Sequence, residues 1–395
     1  MNIILFDTDR VDLYPLSLTR PISCFRIGIL TIKEKWESYF KSVSVLSEDY
    51  LSGRFPANIK KDNIWVNSKL LPSDDIVTEI KNLRIGESLK KDSLLLAFRS
   101  SDFAYNELNE VHSNTSYTFI TSLTDIFSLN GEEIKNDFNR MFSKEDLEWK
   151  GDVNKLEEIK KSNVKIGTNP IYIEEGAKLQ HCILNTTDGP IYIGKDAEIM
   201  EGSMIRGPFA ICNNSVVKMG AKIYEATTIG PYCKVGGEIN NSVFFGYSSK
   251  AHDGFLGNSV IGEWCNLGAD TNNSNLKNNY ENVKLWNYKL ESFKDTGLQF
   301  CGLIMGDHSK CGINTMFNTG TIVGVGSNIF GSGFPRNFIP SYSWGGASGF
   351  TIHKKNKFFS TVEKVLQRRD VVFSDLDKQI LSFVYDMTKR YRNEK

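Results

Sequence analysis

Aliphatic side chains recur at an interval of six residues, at Ile193, Ile199, Ile205, Ile211, Val217, Ile223, Ile229 and Val235, eight positions in one register without a miss. Two places before most of them sits a small residue: Ala197, Ser203, Ser215, Ala221, Thr227 and Cys233, with Ile191 and Phe209 the two bulky exceptions. A period of six matches neither the 3.6 of a helix nor the alternation of a single long strand. It suits a chain that turns once per face of a triangular coil, each aliphatic pointing into the prism and each small residue fitting beside a corner. The spacing therefore predicts a left-handed parallel β-helix of hexapeptide repeats over residues 164–345.

The rhythm falters after Val235, returns at Ile261 and Leu267, and runs again through Met305, Cys311, Phe317, Val323 and Ile329. Its small partners return as Ser309, Thr315, Thr321 and Ser327. Between the regular runs lie EINNSVFFGYSSKAHDGF and DTNNSNLKNNYENVKLWNYKLESFKDTGLQF, both rich in Asn, Lys and aromatics. These interruptions are expected to be loops. In a repetitive scaffold it is the departures that carry individual chemistry.

The flanks read differently. Residues 1–163 are expected to form a mixed α/β domain, with MNIILF and DSLLLAFR as strands and ILTIKEKWESYF as an amphipathic helix. The charged stretch SKEDLEWKGDVNKLEEIKKSN, residues 143–163, is helix-prone and is expected to connect that domain to the first coil. Apolar groups at helical spacing in TVEKVLQRRDVVF and SFVYDMTKRYR predict a helical segment over 346–395.

Charge narrows the function. The chain of 395 residues has 47 basic and 47 acidic side chains, which removes the electrostatic case for a nucleic-acid or membrane-surface partner. Seven cysteines stand singly, without a CxxC pair, as expected of a protein in a reducing cytoplasm. No stretch approaches the ~20 apolar residues of a membrane span. Small molecules and other protein chains remain as partners.

Of five histidines, His252 stands out, lying in an interruption between Lys250 and Asp253. An imidazole titrating near neutrality can remove a proton there. His112, His181, His308 and His353 occupy unremarkable contexts. Arg206, Lys218, Lys222 and Lys234 must point outward from the first regular run, and Arg206 and Lys234 are candidates to meet a substrate phosphate. The run CNLGADTNNSNLKNNY offers uncharged hydrogen-bonding groups for sugar hydroxyls, amides or a carbonyl oxygen, although asparagines also stack at coil turns. Near the N-terminus, FDTDRVDLYPLSLTRP lacks the glycine-rich loop that lets backbone amides approach phosphate. Arg10, Arg20 and Lys33 could still bind the anion of a nucleotide, and Asp7 or Asp9 could hold Mg²⁺.

The stretch KAHDGFLGNSVIGEWCNLGADTNNSN, together with LYPLSLTRP and GILTIKEKW, resembles the GlmU-like bifunctional sugar-1-phosphate nucleotidyltransferase/acetyltransferase family, in its branch with a shortened N-terminal domain. The resemblance implies a homotrimer with acyl-transfer sites between subunits, acetyl-CoA as co-substrate, and a sugar phosphate or nucleotide sugar as acceptor. It implies His252 as general base, Lys250 beside the acceptor, Asn266 on the acceptor sugar, Ala269 on the acetyl-CoA, and Asn275 near the thioester. Asp270, Leu276 and Gly236 depart from the family pattern, which implies a different acceptor. The expected function is CoA-dependent acyl transfer to an amino-sugar phosphate or nucleotide-linked sugar. The alternatives are a nucleotidyltransferase whose prism only oligomerises it, and a non-catalytic binding scaffold.

Overall fold

The computed structural model describes residues 1–142, 149–151 and 156–392. Its centre is a left-handed parallel β-helix. All eight aliphatics of the period-six run are buried, none more than 2% exposed, and the small residues two places before them are buried completely. Stacked strands on each face keep strict register: Ile193 pairs with Ile211 and Ile211 with Ile229 on the first face, and Ile199 with Val217 and Val217 with Val235 on the second. Interior positions from all three faces form one apolar column running from Ile171 to Ile339.

One corner of the prism needs a left-handed backbone in every coil. Asp196, Asn214, Tyr232, Tyr247, Trp264, His308 and Tyr342 all take φ between 53° and 61° there. A side chain in this conformation costs roughly 1–2 kcal/mol. Aromatic stacking offsets part of that cost: Tyr232 lies on Tyr247 at 4.8 Å and Tyr247 on Trp264 at 4.2 Å, with planes within 14°.

The first interruption is not a loop. Glu238–Gly246 and Phe255–Glu263 are strands that pair along nearly their whole length. The coil from Val235 to Lys250 takes fifteen residues where the preceding coil takes eighteen. The chain bends sharply at Asn241 and Asn258, with φ of 40° and 48°, and passes from the third face to the first without a separate corner. Each shortened corner shifts the phase, so the interior row continues as Ile239, Phe244, Leu256 and Ile261 while the period of six disappears. The second interruption starts on the coil, where Asn272–Asn273 pairs in parallel with Met316–Phe317, and then becomes a true insertion with a short hairpin of Lys284–Asn287 and Ser292–Asp295.

The N-terminal domain is a six-stranded sheet. Its order is Val43–Leu46, Ile3–Phe6, Asn63–Asn67, Leu94–Ser100, Glu87–Lys91 and Asn109–His112, with the first three parallel. The expected helix from Ile29 to Phe40 is confined to Ile32–Glu37, because Thr31 caps it: its hydroxyl accepts from the Glu34 amide, and Glu34 answers at the Thr31 amide. The expected connector falls partly outside the described residues; Leu156–Ser162 of it is helical. Two helices, Lys355–Gln367 and Asp375–Met387, follow the prism. They pack on its last coils, where the Tyr342 hydroxyl donates to the Leu381 carbonyl at 2.7 Å.

The N-terminal domain and the prism share one core. Outward residues of the first face, Val243, Phe245, Val260, Ile304 and Ile322, join Leu5, Phe25, Ile64 and Ile126 in a single apolar cluster. Helix Asn130–Met141 lies on the same face, its Asn130 amide donating to the Ala226 carbonyl at 2.7 Å. An ion triad, with Arg20 and Asp307 buried and Glu263 partly exposed, pins the junction. Arg20 pairs with Glu263 at 2.6 Å and with Asp307, while Thr19 donates to Asp307 at 2.6 Å. Burial opposes the Arg20 charge, but the two carboxylates outweigh it and raise its pKa.

Candidate active site

His252 sits on the corner between the second and third faces, directly after the strand Ser249–Lys250. It borders an open groove of about 800 Å³ whose walls include Lys218, Met219, Asp253, Ala269 and Asp270. The loop that presents it is held rigidly from inside the prism. Lys250 occupies an interior position, in register with Val235, and is fully buried. Its ammonium donates to the carbonyls of His252 at 2.6 Å, Gly236 at 3.2 Å and Asp253 at 3.2 Å. Burial pushes its pKa down to about 8. Gly254 closes the loop at φ +115°, and a Cβ there would stand 2.2 Å from the Thr271 carbonyl oxygen, so the corner accepts only glycine.

This geometry corrects one expectation. Lys250 was expected beside the acceptor; with no exposed surface and three carbonyl partners, it instead braces the His252 turn.

The remaining predicted residues are dispersed. Ala269 shares the groove with His252. Asn266 is exposed on the second face, its backbone paired with Ser249 and Lys310. Lys234 lies on the same face, where the nearby cations Arg369, Lys218 and Arg368, together with burial, lower its pKa. Asn275 donates from its amide to Asn258 at 2.8 Å and is outside the groove. Arg206 is exposed on the third face, paired with Asp188 at 2.9 Å and Glu225 at 3.0 Å.

In the N-terminal domain, Arg10 folds back onto the Asp7 carboxylate and Tyr50, and Asp7 also accepts from Ser47 at 2.6 Å. Arg20 is occupied by the junction triad. Lys33 makes an exposed pair with Glu37. Asp9 is exposed at φ 45°, whereas the Asp7 side chain is buried. Among the described residues no three His, Cys, Asp or Glu side chains converge as a metal site would require, so Asp7 and Asp9 lack a third carboxylate or imidazole ligand.

Sequence reasoning missed Met219, and it noted Asp270 only as a departure from the family pattern without placing it in the groove. Both stand at corner positions, and a local pattern does not show which corners stack. It also missed the partners of Arg20, which are more than two hundred residues away along the chain.

Residues 3–146 match the family model for sugar nucleotidyl transferases. No curated protein matches the sequence. Solved structures with low identity and low TM-score to this chain include three acyltransferases. The polySia-specific acetyltransferase NeuO is 13% identical, with 62% of this chain and 98% of that one covered and a TM-score of 0.27. An N-acyltransferase from Bacillus cereus, AntD, in complex with dTDP and coenzyme A, is 13% identical over 54% and 96%, with a TM-score of 0.22. The UDP-N-acetylglucosamine acyltransferase of Arabidopsis is 14% identical over 58% and 81%, with a TM-score of 0.21.

Proposed function

We propose that this chain transfers an acyl group, acetyl from acetyl-CoA, to the amine of a sugar phosphate or nucleotide-linked sugar, with His252 as general base. The observation that carries the reading is the presentation of His252: a solvent-facing imidazole on a turn locked by a buried ammonium and a glycine that tolerates no substitute. A general base must be held in place to act. In the reaction the imidazole takes a proton from the acceptor amine as the C–N bond forms and the thioester C–S bond breaks, and the proton then passes to the leaving thiolate. Asn266 and Lys234, on the adjoining face, are proposed to bind the acceptor and its phosphate. Ala269 and Asn275 are assigned to the donor.

The groove is open on one side, and we propose that a neighbouring subunit closes it in a homotrimer. The third face and the groove corner support this, since Val164, Ile183, Met204, Met219, Ile313 and Met316 all expose 37–69% of their surface, an unusual density of bare apolar groups. A stable monomer by sedimentation at micromolar concentration would count against it.

His252→Ala tests the base directly. It is expected to lower kcat by roughly a hundredfold or more, within the range of general-base loss, with acetyl-CoA affinity and assembly mass unchanged. Raising the pH should partly rescue the variant, because more of the amine is already deprotonated. Wild-type turnover with a wild-type pH profile would leave the binding scaffold as the better reading. The family match over residues 3–146 is the observation behind the rival reading, nucleotidyl transfer at the C-terminal ends of the parallel strands Ile3–Phe6 and Asn63–Asn67; the missing glycine-rich loop argues against it, and a pyrophosphate-release assay decides.

A further inference from the structure

A feature with no part in the proposed acyl transfer lies away from His252, where the inserted hairpin, the last coils and the C-terminal turn meet. Here a cavity of about 710 Å³ is walled by four cations, Lys277, Lys284, Arg336 and Arg390, and a single carboxylate, Glu291. Glu291 is paired with Arg390 at 3.6 Å, and Lys277 stands 3.9 Å from Glu281. Lys284 and Arg336 have no carboxylate partner among the described residues; the Arg336 guanidinium rests over the Phe350 ring instead. A chain with equal numbers of acids and bases has therefore concentrated an excess of three positive charges on one cavity.

The same cavity presents flat aromatic surface. Trp286 stacks on Phe338 with ring centres 4.3 Å apart and planes 9° apart, and Phe293 packs edge-on against Trp286 while leaving 45% of its own surface exposed. The Trp286 Nε1 is buried without a hydrogen-bond partner, a rare condition for an indole donor. Asn337 uses its amide NH₂ to hold the Thr319 carbonyl at 2.6 Å, which leaves its Oδ1 as an acceptor.

We propose that this cavity binds a nucleoside diphosphate group, with Lys284 and Arg336 on the phosphates and the base against the Trp286 and Phe293 rings. The volume is within the range of small-ligand sites. Arginine and lysine are the usual phosphate partners, and base-on-aromatic stacking tolerates any base. Two sources offer this chemistry: the adenosine diphosphate end of coenzyme A, and the diphosphate of a nucleotide sugar. The site shares no residue with the His252 groove, so it does not depend on the acyl-transfer reading.

Titration of the full-length protein with UDP, ADP and inorganic pyrophosphate, followed by tryptophan fluorescence and calorimetry, tests the proposal. Saturable nucleotide binding with quenching is expected. In the Lys284→Gln/Arg336→Gln variant the Kd should rise about tenfold or more with the melting temperature unchanged, since both side chains are exposed. Trp286→Phe should keep binding by calorimetry and lose the quench. His252→Ala should bind as the wild type does, which separates this site from the proposed catalytic one. A preference for ADP would point to coenzyme A and a preference for UDP to a nucleotide sugar, either in support. Nucleotide affinity unchanged in the double variant, no binding at millimolar nucleotide, or pyrophosphate binding as tightly as the nucleotides would overturn it.

Discussion

The Lys250 ammonium lies 2.6 Å from the carbonyl oxygen of His252, so a charge inside the prism sets the position of an imidazole outside it. The arrangement is costly, because burial disfavours the ammonium, and three carbonyl oxygens turned inward compensate it. Hexapeptide coils normally place an aliphatic at this position, as Val235 and Leu267 do in the coils on either side.

The first prediction follows from the sign of that shift. The Lys250 pKa is lowered to about 8 in the folded chain, against about 10.4 when unfolded. Between those values the unfolded state binds more protons, so this group makes stability rise with pH from about 8 to 10.4. In Lys250→Met the rise should vanish, and kcat should fall because the His252 turn loses its brace. Denaturant titrations across that window decide it; equal slopes in both proteins would show that the ammonium is not held as described.

A second prediction concerns the junction. Arg20→Met leaves Asp307 and Glu263 without their cation, and breaking such a pair costs roughly 3–5 kcal/mol; the lower end is expected, because Glu263 keeps 29% of its side chain in water. Urea unfolding should show either this loss or a separate early transition for the N-terminal domain. An unchanged midpoint would mean that the apolar interface alone holds the two parts together.

The coil register can be tested at one interior position. Ile211 is completely buried between Ile193 and Ile229, and Ile211→Asp would bury an unpaired carboxylate, a loss of more than about 4 kcal/mol. Soluble protein with an unshifted melting temperature would contradict the register.

Gly254→Ala brings a Cβ within 2.2 Å of the Thr271 carbonyl oxygen, so the His252 turn must move. Displacements of about 1 Å can cost on the order of a hundredfold in rate. We expect kcat to fall much further than thermal stability, measured by parallel kinetics and calorimetry; full activity would mean that the turn need not be rigid.

For nucleotidyl transfer, the full-length chain with Mg²⁺, UTP and sugar phosphates is expected to release little pyrophosphate. The turn after the first strand is a 3-10 helix, Arg10–Leu13, with no glycine to expose its amides to phosphate, and Arg10 is bound to Asp7. Robust release would reverse this and make Lys69, which donates to the Asp9 carbonyl at 3.3 Å, the first residue to examine.

The prism was legible because its signal is local and repeated: each interior residue meets the same surroundings six places on, so eight positions suffice to reveal the coil. His252 was legible as a departure from that rhythm. Its supports were not. Lys250 reads as a surface residue by composition, and only the stacking of Val235, Lys250 and Leu267 on one interior row turns it inward. The shortened coils were misread as a loop because two tight bends, at Asn241 and Asn258, shift the phase of a pattern whose recognition depends on phase.

The chain's own order thus determined the coil, the interior rows and the position of the unusual histidine, since these rest on interactions between a residue and its near-identical neighbours one turn away. The tertiary structure decided the rest. It decided which cations are buried and which face solvent, it joined Arg20 to Asp307 across 287 positions, and it brought Lys284 and Arg336 to one cavity from separate segments. Such pairings depend on how three parts of the chain dock, and docking is set by surface shape and charge that no local period encodes.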